Sequence, residues 1–494
     1  MTDTRTWRRL GERVPSWVPV ATFAGLGVAA AVLIVVGVPP VVAAAVLVAP
    51  VAVAVGVARP DLGLVVLVFV TYSRVSDVLI EYHGLPSVAQ PLVAVLLAVV
   101  LARWLALREE PTGWMGPLQL VAAFGLVLVV SLYAAVDMPM AYDVVGGFAR
   151  DAVLVLVVVL LFQRGEALPA VIWSLLAVGI ALGTLGIWQY MTGGFATDFG
   201  GFAQAPEQHI FGRVDDHRIA GPVGDPNYFG QILVVLVPLA LGRLRDERAL
   251  WLRGLALWAL VATVVATVLT YSRGALFALV VVAVALLVSR PPRLRTVALG
   301  VAAAAVALAT LGAPEGYGER IESMVAFVPG IGGPAHEPSL GGRMSALAAG
   351  WGMFADHPVI GVGPGQFVAH FRPYTEGLGM RTPGAELRPH NLYVEMAAEH
   401  GLVGLVVFGV LLAGVFAGLR DARRRFRRAG AVDYASMTAD LRIGILGYLA
   451  GAVFIHAAYP RYMWLLFALA LALPAAARHE ETRVTEGEAS TVAT

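Results

Sequence analysis

Runs of about twenty apolar residues recur along almost the whole chain, and each is long enough to cross a bilayer as a helix. Spans are expected at 17–37, 40–57, 62–80, 87–107, 115–136, 149–163, 168–191, 227–242, 251–271, 274–289, 295–312, 401–419, 440–458 and 461–477. Hydrocarbon leaves no water for backbone groups, so segments of this kind close their hydrogen bonds internally as helices. The fold class is therefore an all-α polytopic membrane protein with about 14 (12–14) transmembrane helices, a single membrane domain over 1–494. Composition agrees: 58% of residues are hydrophobic and 14% charged, against ~45–50% and ~25% in soluble domains.

The charged residues set the topology. The chain has no lysine, so all 35 basic residues are arginine, and 24 of them fall on one side if the N-terminus is cytoplasmic. That follows the positive-inside rule and puts both termini in the cytoplasm, with a multi-pass protein in the cytoplasmic (inner) membrane. Two connections are long, and both then lie outside: 192–226 and 313–400. Both are rich in Gly, Pro, His and aromatic residues, a composition that favours function over disorder. The polar tail 479–494 reads as disordered and cytoplasmic. A net charge of +1 speaks against a nucleic-acid partner, and the lack of cysteine excludes disulfides and thiolate metal sites.

Eleven arginines remain on the outer side or at its boundary. Arg74, Arg150 and Arg273 are the costly ones, because each sits in or beside an apolar run. Snorkelling, or pairing with a neighbour such as Asp77 or Asp151, would account for any one of them. A shared anionic ligand accounts for several together, since the guanidinium fork suits phosphate. Arg218 stands just before Asp225-Pro226-Asn227, where Asp225 reads as a helix N-cap. In the second outer loop, 343–354 has a helical pattern followed by a turn at His357-Pro358. Gly361 to Gly365 can form either a plain turn or a nest of N–H groups for an anion. From His390 the pattern is an amphipathic helix leading into a span, with Glu395 and Glu399 on one face.

With those residues in hand, the chain resembles the O-antigen ligase and O-antigen polymerase superfamily. The ligase signature runs His, then Asn, Ser or Gln, nine residues, Gly, two residues, then Gly, Thr or Tyr; His390-Asn391, Gly401 and Gly404 match it. "TYSRGALFAL", "GGRMSALAAGWGMFADHPVIGVGPGQF" and "GPVGDPNYFG" are similar to three further segments of the family. The resemblance implies a glycosyltransferase that needs no metal or other cofactor. Its donor would be a glycan on undecaprenyl diphosphate, a polyprenyl-diphosphate-linked glycan at the outer face, and its acceptor a glycan or lipid-glycan. It implies His390, Arg343 and Arg273 as catalytic residues. Arg218 and Arg150 follow as substrate-binding, with Arg74, Asn391 and Glu399 as further candidates.

The chemistry of the residues is compatible with this. Clustered arginines can stabilise a leaving pyrophosphate, and a histidine can take the acceptor's proton. No Asp-x-Asp and no Walker lysine occur. Two other classes stay open. A secondary transporter or flippase for an anionic solute or lipid-linked glycan would need charges near the midplane and two similar halves. A scaffold or sensor would tolerate loss of His390 and Arg273.

Overall fold

The computed structural model describes residues 59–211, 214–289, 300, 338–377, 388–455 and 461–492. The expected spans 17–37, 40–57 and 295–312 lie outside them. Among the described residues, seven helices are long and apolar enough to cross a membrane, or eight with the bent pair 60–83 counted as one. The described residues therefore do not confirm the count of about 14, and the chain is a helical, polytopic membrane protein.

The helices, in chain order, are α1 Pro60–Ser73, α2 Val75–His83, α3 Ala89–Leu105, α4 Met115–Ser131, α5 Met138–Leu161, α6 Leu168–Thr192, α7 Pro226–Asp246, α8 Leu250–Leu269, α9 Arg273–Ser289, α10 Pro338–Asp356, α11 Phe367–Gly377, α12 Leu392–Arg428, α13 Val432–Gly451 and α14 Arg461–Val492. The chain falls into two compact units, one holding 94–109 with the residues up to 63, the other 64–93 and 110–494. All that follows concerns the second unit.

Its helices run alternately up and down around α7, which is buried along nearly its whole length and packs on α8, α13 and α9. Outward faces keep their apolar side chains exposed, as at Leu126, Val129, Val261 and Val406, which is what lipid contact requires. The starts of α5, α7, α9, α12 and α14 and the ends of α4, α6, α8 and α13 share one end of the bundle. This is the end that carries the long connections.

Several sequence expectations are corrected here. Within the helical fold, the 192–226 connection holds a short antiparallel hairpin of β1 Glu207–Phe211 and β2 Val214–His217 that the sequence reading did not include. The expected span 62–80 is broken by 50° between α1 and α2. Arg74 is the break, at φ 58°. Arg150 does not open a span. Its helix starts at Met138, capped by Asp137 onto the Met140 amide at 3.1 Å, so Arg150 lies mid-helix. The tail from 479 continues α14 helically to Val492. Arg483 bonds Glu480 one turn back and Glu166 at 3.1 Å, and Arg425 of α12 bonds Glu481 at 2.8 Å. Such pairs offset the low apolar content that reads as disorder.

The most informative irregularity is in α12. Gly401 has φ 61° and ψ −156°, a break inside one long helix. Residues 358–363 cross at that break. Val362 and Gly363 donate to the carbonyls of Ala398 and Glu399 at 2.9 and 3.0 Å. Leu402 and Val403 donate to Pro358 and Val359 at 2.8 and 3.1 Å. The helical bonds lost at the kink are replaced by bonds to the crossing chain. A Cβ on Gly401 would lie 2.5 Å from the Val359 carbonyl carbon, and one on Gly404 2.2 Å from the His400 Cβ. Gly401 is therefore a packing requirement of this crossing, and Gly404 one of the kinked helix itself, against His400.

Glu399 locks the same crossing. Its carboxylate, 2% exposed, accepts from the amides of Gly365 at 2.9 Å and Phe367 at 3.2 Å. Of the glycine-rich turn, the Gly365 amide meets this side chain, and the Phe367 amide just beyond the turn does so too. Glu399, expected to bind substrate, is committed to this internal contact. Glu399→Ala should strand two buried N–H groups at about 1–3 kcal/mol in stability. Glu399→Gln, which keeps an acceptor, should lose less. Thermal unfolding of the purified variants, with proteolysis at 357–367 as a local readout, checks the order.

Candidate functional site

The site assembles at the end of the bundle where the long connections return. Asp225 caps α7, its Oδ1 accepting from Asn227 N at 2.7 Å and Tyr228 N at 3.3 Å. Pro226 at the first position needs no N–H partner and holds the cap register. This fixes Asn227 at the helix mouth, where its Oδ1 accepts from Arg218 Nη2 at 3.2 Å and from Ser272 Oγ at 2.9 Å. Arg218, 3% exposed, also donates from Nε to the Thr270 carbonyl at 2.8 Å. The first connection is thereby tied to the α8–α9 turn.

That turn is tight. Tyr271 has φ 47°, and its hydroxyl meets that of Tyr190 at 2.5 Å. Ser272 Oγ accepts from the Ala275 amide at 3.3 Å and so caps α9. Arg273 follows as the first residue of α9 and is 4% exposed. Gly274 lets the turn approach α13's end: a Cβ there would meet Phe454 Cβ at 2.8 Å. The head of α12 docks at the same place, with Leu392 N on the Ala452 carbonyl at 2.9 Å and Tyr393 Oη on the Leu449 carbonyl at 3.0 Å. Arg273 and the His390 segment are thus gathered around residues 449–454.

His390 precedes that helix head at φ 46°, a left-handed conformation uncommon for a side-chain-bearing residue. It does not cap α12. Asn391 does, its Oδ1 accepting from Tyr393 N at 2.9 Å and Val394 N at 3.0 Å. Burial lowers the His390 imidazole to about 4; the Arg343 guanidinium lowers it further, Asp225 opposes, and Arg388 lowers it again. The imidazole is consequently neutral at pH 7, among two arginines and the carboxylate that caps α7. Arg343 comes from α10, which was read as helical from the sequence and is so over Pro338–Asp356.

The structure therefore brings together His390, Arg343, Arg273 and Arg218, with Asn391 as the helix cap beside them. Arg74 and Arg150 are not joined to this group. Arg74 is engaged by Asp77 at 3.2 Å and Glu81 at 3.1 Å and donates to the carbonyls of Pro222 and Val223. Arg150 is exposed on α5, and no contact among the described residues links it to the cluster. Asp151, named as its pairing partner, binds Arg461 instead, at 3.1 Å. Two participants were missed. Asn227 and Ser272 link Arg218 to the Arg273 turn, and the signal was their place in the Asp-Pro-Asn and Ser-Arg segments. Among the described residues, no three His, Asp or Glu side chains converge as a metal site would need.

Residues 258–409 match the family model described as O-antigen ligase. The match takes in Arg273, Arg343, His390 and both signature glycines, while Arg218 and the Asp-Pro-Asn segment precede it. No curated protein matches the chain.

Proposed function

We propose that the chain is a membrane glycan-processing enzyme that transfers a glycan from a polyprenyl-diphosphate donor to a hydroxyl acceptor, a reading supported by the match of residues 258–409 to the O-antigen ligase family. The transfer would take place at the outer face of the cytoplasmic membrane. The observation that carries this reading is the convergence of Arg218 and Arg273, both almost fully buried, with a neutral histidine flanked by Arg343.

In this low-dielectric setting an anion of matching geometry would add charge-assisted hydrogen bonds to the guanidiniums. Arg218 and Arg273 would hold the diphosphate and stabilise it as it leaves. His390 would accept the proton of the attacking hydroxyl, and Arg343 would set its basicity and face the same diphosphate. The bond from the sugar to the diphosphate breaks as the new glycosidic bond forms, the polyprenyl diphosphate departs with the electron pair, and the hydroxyl proton passes to the imidazole. Tyr228 and Glu395 border this space. Polymerase and ligase differ here only in the acceptor.

Purified protein in lipid nanodiscs, given an undecaprenyl-diphosphate glycan and chelator, should release undecaprenyl diphosphate and lengthen or transfer the glycan. Uptake of the lipid-linked glycan into vesicles with no new glycosidic bond would favour a transporter instead.

A further inference from the structure

Next to the candidate site lies a cavity of about 290 Å³ with charged groups in its wall. It touches Tyr228 and Val223, so the 222–228 turn forms a wall of both. The charged groups around it are Arg74, Asp77, Asp151 and Arg461. We infer that this cavity is a subsite for an uncharged pyranose unit of the glycan, an inference that rests on the transferase reading.

The charges argue against an anion as its ligand. Arg461 binds Asp151 at 3.1 Å and Asp77 at 3.7 Å, and Arg74 binds Asp77 at 3.2 Å and Glu81 at 3.1 Å. At the cavity wall two guanidiniums thus face two carboxylates, with Glu81 as a further partner of Arg74, so a phosphate would meet no excess of positive charge. Carboxylates keep lone pairs after single ion-pair contacts, and a guanidinium keeps donors. Such a rim suits neutral hydroxyls, which both donate and accept. Tyr228 and Tyr462 add aromatic bodies with polar tips to the wall, and a sugar ring likewise has an apolar face and a polar rim. The volume is near the lower end of small-ligand pockets, ~300–1,000 Å³, a size for a sugar unit rather than a long chain. Arg461 is 39% exposed at its side chain, so the charged wall is not sealed in.

Arg74 ties the two sites together. Its bonds to the Pro222 and Val223 carbonyls, at 3.1 and 3.4 Å, brace the turn that leads to the Asp225 cap. A sugar seated between Asp77 and Tyr228 would therefore lie beside the arginine cluster, where either the donor's glycan or the acceptor's end must sit.

Gly147 offers a clean test. It lines the cavity, and a Cβ there would meet only Arg150 Nη2, at an ordinary 3.8 Å. Gly147→Leu should therefore fold and fill the cavity. Gly146→Leu is the control, because a Cβ at Gly146 meets nothing within 4 Å and the residue does not border the cavity. Both changes replace glycine within α5 and favour the helix.

Binding of neutral oligosaccharides of two to four hexopyranose units, and of inorganic pyrophosphate, would be measured on the full chain in nanodiscs without any transfer step. The wild type and Gly146→Leu should bind at least one oligosaccharide, and Gly147→Leu should weaken it at least ~10-fold while keeping pyrophosphate. Arg273→Lys should show the reverse pattern. In transfer assays, a raised KM for the acceptor alone assigns the sugar to the acceptor, and a raised KM for the donor alone assigns it to the donor. Binding of no neutral oligosaccharide, equal binding by Gly147→Leu and wild type, or displacement of the sugar by pyrophosphate would overturn the subsite. Sugar binding with no transfer by the wild type would instead count against the transferase reading alone.

Discussion

Replacing His390 by Asn or by Ala should cut glycan transfer by ~10²-fold or more, the usual consequence of removing a general base, with both proteins expressing and folding. A helix-capping role predicts the opposite, since Asn is a good cap and would restore function. The geometry already weakens that alternative, because Asn391 holds the α12 amides at 2.9 and 3.0 Å. The pH profile gives an independent sign. With the imidazole lowered to about 4 chiefly by burial and then by Arg343, kcat/KM should fall only as pH drops through about 4. A bound diphosphate offsets the Arg343 charge, so the acid limb of kcat should lie above that of kcat/KM. Arg343→Gln should move the kcat/KM limb upward, though not to the ordinary histidine value near 6.5, because burial remains. Stability follows the same linkage. The unfolded chain takes up the His390 proton first as pH falls from about 6.5 toward 4, so this residue costs stability across that window. Near-normal turnover by His390→Asn would remove the base from the mechanism and leave the arginines alone.

How much of this was legible from the residues depended on whether the signal was local. The Asp225 cap, the α10 helix and the turn at His357 are set by neighbours within one or two turns of chain, and the residue pattern carries them. The spacing from His390 to Gly401 and Gly404 was recognisable, but its cause was not, because the cause is the 358–363 segment crossing α12. The surroundings of Glu399 were illegible for the same reason. The i,i+4 spacing puts Glu395 and Glu399 on one face without saying what that face meets, and at Glu399 it meets the Gly365 and Phe367 amides. Arg150 was misplaced because Asp143, Gly146 and Gly147 dilute the apolar signal at the front of α5. The hairpin escaped notice because "VDDH" has no alternation of apolar and polar residues. Arg74 and Arg461 look alike in sequence to Arg218 and Arg273. In the fold Arg74 and Arg461 bind carboxylates, and Arg218 donates to the Thr270 carbonyl and the Asn227 amide oxygen.

That separation makes Arg273 and Arg218 the second decisive test. Arg273→Lys should lose ~10²–10³ in rate, the cost of removing one preorganised donor to a developing oxyanion, because an ammonium cannot reproduce two parallel bonds to a phosphate. Arg218→Lys should lose a comparable amount, but for a mixed reason. Its Nε bond to the Thr270 carbonyl and its Nη2 bond to Asn227 also hold the turn that presents Arg273. Asn227→Ala separates the two contributions. It frees Arg218 and Ser272 from their common acceptor without removing a cation, so it should lower the rate less than either arginine change and leave the salt dependence of pyrophosphate binding unchanged. Arg273→Lys should instead weaken pyrophosphate binding directly. Arg74→Lys is the contrasting case, since that guanidinium is already neutralised by Asp77 and Glu81. It should leave pyrophosphate affinity within a few-fold of wild type. Equal loss of pyrophosphate binding in Arg74→Lys and Arg273→Lys would mean that one extended anion site, and not a charged site beside a neutral one, occupies this end of the bundle.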